Sequence, residues 1–260
     1  MRKRTSGKKY RPSNPEIIVP TPKKPAPAPD IGNFKFSINC KFKNKKQKLL
    51  FDSIMDNRIT FVRGPAGTAK TFISLVAALA LIKMPKYNIN KIVLVKPIVE
   101  ITSNKGLGAL PGELNEKIDP YFDHFYENLS KLVSQETIKF LKDGKYISDV
   151  VLNYMRGATF GRYDADGNPI GQVVIMDEAQ NMTASEMKTF ISRMGENSKL
   201  IIIGDPDQID LKLMYGELCG LNDAINRLSD MESITLVEFD EDDIVRDPFL
   251  IEIMKRYKNR

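Results

Sequence analysis

Eight residues constrain the fold of this chain more than any others: Gly64-Pro65-Ala66-Gly67-Thr68-Ala69-Lys70-Thr71. An apolar run, Ile59-Thr60-Phe61-Val62, precedes them, and an Ala-rich apolar stretch from Phe72 to Ile82 follows. The order is strand, Gly-rich loop, helix. Such a loop wraps a phosphate chain with backbone N–H groups, and the helix N-terminus adds its positive end. Lys70 is placed to reach the β- and γ-phosphates of a nucleoside triphosphate, and the Thr71 hydroxyl to bind Mg²⁺. One position departs from the usual pattern: Ala69 stands where a glycine normally precedes the lysine. A methyl group is tolerated there if the residue adopts helical dihedrals, since positive φ is what demands glycine.

Further short apolar runs follow, at 91–95, 173–177, 199–203 and 234–239. Helix-like segments lie between most of them, at 70–84, 184–194 and 217–229. Apolar strands alternating with helices predict a parallel sheet covered on both faces. The expected fold is α/β, of the P-loop NTPase type, with a parallel sheet flanked by helices. The stretch from about 100 to 171 breaks the alternation. It reads as a helical insertion, with helices over 114–132 and 135–143, an irregular part around Tyr154, and a hairpin turn at Asp166-Gly167-Asn168-Pro169.

The run Val174-Ile175-Met176-Asp177-Glu178-Ala179-Gln180 is an apolar strand ending in two acids, a Walker B arrangement. Asp177 is expected to hold Mg²⁺ together with Thr71, and Glu178 to orient or deprotonate the attacking water. Gly204-Asp205-Pro206-Asp207-Gln208 again follows an apolar strand. Polar groups at the carboxyl ends of neighbouring parallel strands converge on one crevice, so Gln208 is expected to touch the γ-phosphate or the water. Gln47 lies 17 residues before Gly64, where a glutamine reads the adenine edge in many helicase-like ATPases.

The net charge of +6 is unevenly spread. Residues 1–50 hold 14 Lys and Arg against two Asp and Glu, a net of +12, so the remainder is acidic. Residues 1–40 read as a basic, Pro-rich tail, with seven prolines between Pro12 and Pro29, and 41–260 as the folded ATPase domain. Such a tail lacks the apolar residues for a core and is a candidate nucleic-acid arm. No apolar run is long enough to span a membrane. The two cysteines, Cys40 and Cys219, suggest no disulfide framework or metal site. The single histidine, His124, has no metal-ligating neighbours in sequence and reads as an ordinary surface or partly buried residue. A reducing, cytoplasmic setting fits all of this.

The ordered set of motifs resembles the PhoH-like, phosphate-starvation-inducible ATPases. The resemblance rests on the loop at 64–71, Lys96-Pro97-Ile98-Val99-Glu100, and the block Gly106-Leu107-Gly108-Ala109-Leu110-Pro111-Gly112-Glu113-Leu114. It continues through Tyr154-Met155-Arg156-Gly157, Asp177-Glu178-Ala179-Gln180-Asn181, Gly204-Asp205 with Gln208, and Asp243-Ile244-Val245-Arg246-Asp247-Pro248. It covers roughly residues 47–257. It implies a RecA-like core similar to the first motor domain of superfamily-one helicases, and an ATPase linked to RNA metabolism and helicase-like work. Two departures stand out: a basic Pro-rich tail in place of an RNA-binding or PIN nuclease domain, and extra residues near 161–171. The compact layout resembles versions carried by bacteriophages, which would place it in a host cytoplasm.

Together these features predict Mg²⁺-dependent ATP hydrolysis coupled to RNA or single-stranded nucleic acid. The alternative is an ATP-dependent switch acting on a protein partner. A chain with one motor core lacks the arginine that a second core supplies to the γ-phosphate. Arg156, Arg193 and Arg246 are therefore candidates to act in trans, in a homo-oligomer expected to be a hexameric ring.

Overall fold

The structure, a computed structural model, describes residues 34–97, 114–152 and 159–246, with positions 155, 157, 249, 252, 253 and 256. Seven strands form the sheet: β1 (Ile59–Arg63), β2 (Ile89–Lys96), β3 (Ile147–Val151), β4 (Arg162–Tyr163), β5 (Pro169–Met176), β6 (Lys199–Gly204) and β7 (Ile234–Glu238). Their order is β3-β2-β5-β6-β1-β7, every pairing along that path is parallel, and β4 pairs antiparallel with the start of β5. The helices are α1 (Lys45–Asp56), α2 (Lys70–Lys83), α3 (Leu114–Leu132), α4 (Gln135–Asp143), α5 (Ala184–Ile191) and α6 (Gly220–Leu228).

The near-continuous apolar strands are explained by two cores, one on each face of the sheet. Alternate side chains of a strand point to opposite faces. Val62, Ile201 and Ile203 pack with Leu79 of α2 and Phe122 and Phe125 of α3. Phe61, Leu200 and Ile202 pack with Met187 and Phe190 of α5 and Leu221 and Ile225 of α6. The architecture is α/β, of the P-loop NTPase type. The loop-bearing strand β1 and the acid-bearing strand β5 flank β6, so their carboxyl ends open on one crevice.

Two sequence expectations need correction. The segment read as a helical insertion does contain α3 and α4, but it also adds the edge strand β3, parallel to β2. Ser148 and Asp149 interrupt the apolar pattern there and hid the strand. Asp149 accepts a hydrogen bond from the Tyr126 hydroxyl of α3 at 2.7–2.8 Å, which satisfies the carboxylate within the fold. The folded part also begins before residue 41. Phe36 is buried, Phe34 stacks on Phe140 with ring centroids 3.7 Å apart, and the Asn39 amide donates to the Leu132 carbonyl at 2.8 Å. These alternating apolar residues sit inside a stretch whose charge reads as tail. The hairpin at 166–169 is present. Asp164 Oδ1 accepts from the amides of Asp166 and Asn168, and β4 and β5 flank the turn.

Candidate functional site

The loop leaves β1 at Gly64, whose φ is +148°. A side chain there would place its Cβ 2.5 Å from the Phe239 carbonyl oxygen, so β7 closes against the loop only with glycine at this position. The loop ends at Ala69 with φ 68° and ψ 29°, a left-handed conformation. The condition under which a methyl group is tolerated at no cost is therefore not met: the chain places alanine where the geometry favours glycine, at a cost of about 1–2 kcal/mol. Lys70 begins α2, is nearly buried, and its Nζ donates to the carbonyls of Gly64 at 2.6 Å and Pro65 at 2.8 Å. The ammonium thus lies inside the curve of the loop. Burial lowers its pKa from the usual value, while Asp205, Asp177 and Glu178 pull the other way.

Asp177 and Glu178 follow the end of β5. Asp177 is 6% exposed. Its Oδ2 accepts from the Thr71 hydroxyl at 2.9 Å and lies 2.9 Å from His124 Nε2, and its Oδ1 accepts from the Glu178 amide at 3.0 Å. Burial pushes this carboxyl up. The contacts with His124 and Thr71 and the charge of Lys96 outweigh it and hold the pKa below the ordinary value. Glu178 sits at φ 59°, also left-handed, which turns its side chain at the point where the strand ends. Its Oε2 accepts from Gln180 Nε2 at 2.8 Å.

Gln180 is fully buried and links the ends of β5 and β6. The same Nε2 donates to the Gln208 carbonyl at 3.1 Å, and its Oε1 accepts from the Asp205 amide at 3.1 Å. Gln208 Nε2 in turn donates to Asp205 Oδ2 at 2.8 Å. The two acidic strand ends are therefore one hydrogen-bonded unit. Lys70, Thr71, Asp177, Glu178, Gln208 and Arg246 all line a single cavity of about 620 Å³.

A family model described as PhoH-like protein matches residues 39–258. The chain belongs to the PhoH-like protein family. Among relatives, the PhoH-like protein of Bacillus subtilis (strain 168) is 37% identical over 219 residues, covering 84% of this chain and 64% of the relative. The PhoH-like protein of Mycobacterium tuberculosis is 38% identical over 215 residues, covering 83% and 57%. Protein PhoH of Escherichia coli (strain K12) is 35% identical over 208 residues, covering 78% and 54%. The chain thus spans between 54% and 64% of the length of these relatives. Among solved structures, the Pif1 helicase from Candida albicans aligns with 83% of this chain and 44% of its own, at a TM-score of 0.40 and 13% identity.

Within this PhoH-like chain the remaining predicted residues fall as follows. Gln47 lines the same cavity but is 2% exposed. Its Oε1 accepts from the Lys43 amide at 2.8 Å and its Nε2 donates to the Thr68 carbonyl at 3.4 Å, so it joins the start of α1 to the phosphate loop. Arg246 lies over the loop of its own chain: the Val245 amide donates to the Gly67 carbonyl at 3.0 Å, and a Cβ on Gly67 would meet the Arg246 side chain. Arg246, a candidate to act in trans, thus lies beside the loop of its own chain. Arg193 follows α5 and does not line the cavity. Arg156 lies outside the described residues.

Two residues of the site were missed. His124 lines the cavity at the Asp177 end, and Gln180 braces Glu178. A signal for His124 existed in α3: His124, Asn128 and Lys131 recur at helical spacing, and all three line the cavity, while Phe122, Phe125, Leu129 and Leu132 pack in the core.

The residues present fit Mg²⁺. Among the described residues no cluster of three or more His, Cys, Asp or Glu can hold a metal by itself. Mg²⁺ in phosphoryl-transfer sites takes one or two protein oxygens and completes its shell with substrate phosphates and water. A threonine hydroxyl and an ionised carboxylate 2.9 Å apart, beside a phosphate-binding loop, are such a donor set.

Proposed function

We propose that this chain is a Mg²⁺-dependent ATPase that works on RNA or single-stranded nucleic acid. The observation that carries the reading is the convergence of Lys70, the Thr71–Asp177 pair, Glu178 and Gln208 on one cavity at the carboxyl ends of adjacent parallel strands. The loop amides and Lys70 hold the β- and γ-phosphates, and Thr71 and Asp177 hold Mg²⁺. A Mg²⁺ held there by Thr71 and Asp177 would supply positive charge against the charge that develops on the phosphates. Glu178, steadied by Gln180, orients the attacking water, and Gln208 reports the γ-phosphate through Asp205. Gln47 sits where the start of α1 meets the loop, and is the residue proposed to read adenine. Arg246 supplies positive charge to the phosphates from within the same chain.

The nucleic-acid half of the reading is supported by the basic residues at 1–50 and by the lysines at the cavity, Lys41, Lys43 and Lys131. A closed hexameric ring, with Arg156 reaching a neighbouring site, is the assembly proposed. Among the described residues no helix is long and apolar enough to cross a membrane.

The test is a pair of measurements. Glu178→Gln keeps the shape of the side chain but removes the base. It is expected to retain ATP binding and to lose about 10²–10⁴-fold in turnover. Single-stranded RNA is expected to raise turnover in the parent chain. Near-parental hydrolysis by Glu178→Gln overturns the catalytic assignment. A turnover indifferent to RNA but responsive to a protein partner favours the switch instead.

A further inference from the structure

A carboxylate oxygen offers two acceptor positions, and both positions on Asp177 Oδ2 are filled. One receives the Thr71 hydroxyl at 2.9 Å, the other faces His124 Nε2 at 2.9 Å. The first contact is compatible with a bound cation, because a hydroxyl presents a lone pair to the cation while its proton still goes to the carboxylate. The second is not. An imidazole N–H directed at Oδ2 takes the remaining lone pair of the oxygen shared with Thr71, so a cation held between Thr71 and that oxygen competes with His124 for it.

His124 belongs to α3, which forms a wall of the cavity. His124 is half-buried, and its ring packs on Phe125 with centroids 4.2 Å apart. Asn128, one turn on, donates through Nδ2 to the His124 carbonyl at 2.9 Å. The far side of α3 is fixed by Phe122, Phe125 and Leu129 in the core and by the Tyr126–Asp149 hydrogen bond. The His124–Asp177 contact is thus the link between this wall and the acid at the end of β5.

We propose that His124 is a positioning residue that latches α3 to Asp177 in the metal-free site and yields that oxygen when Mg²⁺ arrives with the nucleotide. The occupancy of the site is then passed to α3. This rests on reading the cavity as a Mg²⁺–ATP site.

The test measures binding of a fluorescent ATP analogue with Mg²⁺ and with EDTA, alongside hydrogen exchange of the α3 amides. Removing the competitor in His124→Ala is expected to tighten Mg²⁺-dependent binding about tenfold, the scale of one hydrogen bond to a charged group. Binding in EDTA stays as in the parent. His124→Gln, which keeps an N–H at similar reach, stays near the parent in both. His124→Phe, which keeps the packing on Phe125, behaves like His124→Ala. In the parent chain, Mg²⁺ with the analogue is expected to speed exchange in α3, and in His124→Ala exchange is already fast without it. Unchanged or weaker Mg²⁺-dependent binding in both His124→Ala and His124→Phe overturns the latch. A parent chain that binds no nucleotide under either condition overturns the ATP-site reading itself.

Discussion

Ala69 carries a cost that nothing in its side chain repays. A left-handed alanine is strained by about 1–2 kcal/mol, and glycine at the same place gives back some of that gain through its freer unfolded chain, about 0.4–1 kcal/mol. Ala69→Gly is therefore expected to stabilise the protein by up to about 1 kcal/mol, read as a higher urea midpoint at unchanged slope. A lower midpoint would show that the methyl group is needed in the loop. At this scale the phosphate loop and the acids were legible because each lies on one contiguous peptide. Residues 64–71 and 177–178 carry their context with them. His124 was not legible as a site residue. It stands alone in sequence, 53 residues before its partner Asp177, and its role depends on which face of α3 turns inward.

Between elements, Gln180 makes the most consequential contact. It has no charge and no catalytic proton, yet it spans the ends of β5 and β6 through Glu178, Asp205 and the Gln208 carbonyl. Gln180→Leu keeps comparable bulk but unpairs all three. Displacing a catalytic group by an ångström costs on the order of 10²-fold in rate, so turnover is expected to fall by that order. Nucleotide affinity, proposed to rest on Lys70 and the loop amides, is expected to stay close to the parent. A steady-state split of kcat against KM checks this, and an equal loss in both would assign Gln180 to binding. The strands β1, β2, β5 and β6 were legible because burial on both faces forces continuous apolar runs, and the edge strand β7 because Ile234, Leu236 and Val237 keep its run apolar. β3 was not, because an edge strand with one polar partner in α3 needs no such run. The packed segment at 34–40 escaped for a related reason: Phe34, Phe36 and Ile38 decide its place, while the lysines and prolines of the wider stretch around it decide how its composition reads.

For the molecule as a whole, the position of Arg246 changes what assembly has to provide. If each site draws Arg246 from its own chain, mixing Arg246→Ala with Glu178→Gln leaves every site with one defect, and no activity returns. Recovered activity in the mixture would move Arg246 to the neighbour's site. Mixing Arg156→Ala with Glu178→Gln is expected to recover turnover if Arg156 crosses a subunit boundary in a ring. Light scattering alongside turnover tests the ring directly. The basic segment is a separate matter. Residues 1–30 carry eight Lys and Arg, and their deletion is expected to weaken RNA binding. The log–log salt slope should flatten by about 0.7 for each phosphate group no longer neutralised, with RNA-independent hydrolysis preserved.

The pairing of β1 also sets the order in which the chain can be finished during synthesis. Its two neighbours are β6 and β7, so Ile59 waits for Leu200 on one side and Ile234 on the other. A nascent chain emerging at about 5–20 residues per second therefore exposes the phosphate loop for many seconds before its strand has either partner. Gly64 meets Phe239 later still. The first-made strand of the sheet is therefore among the last to gain its neighbours.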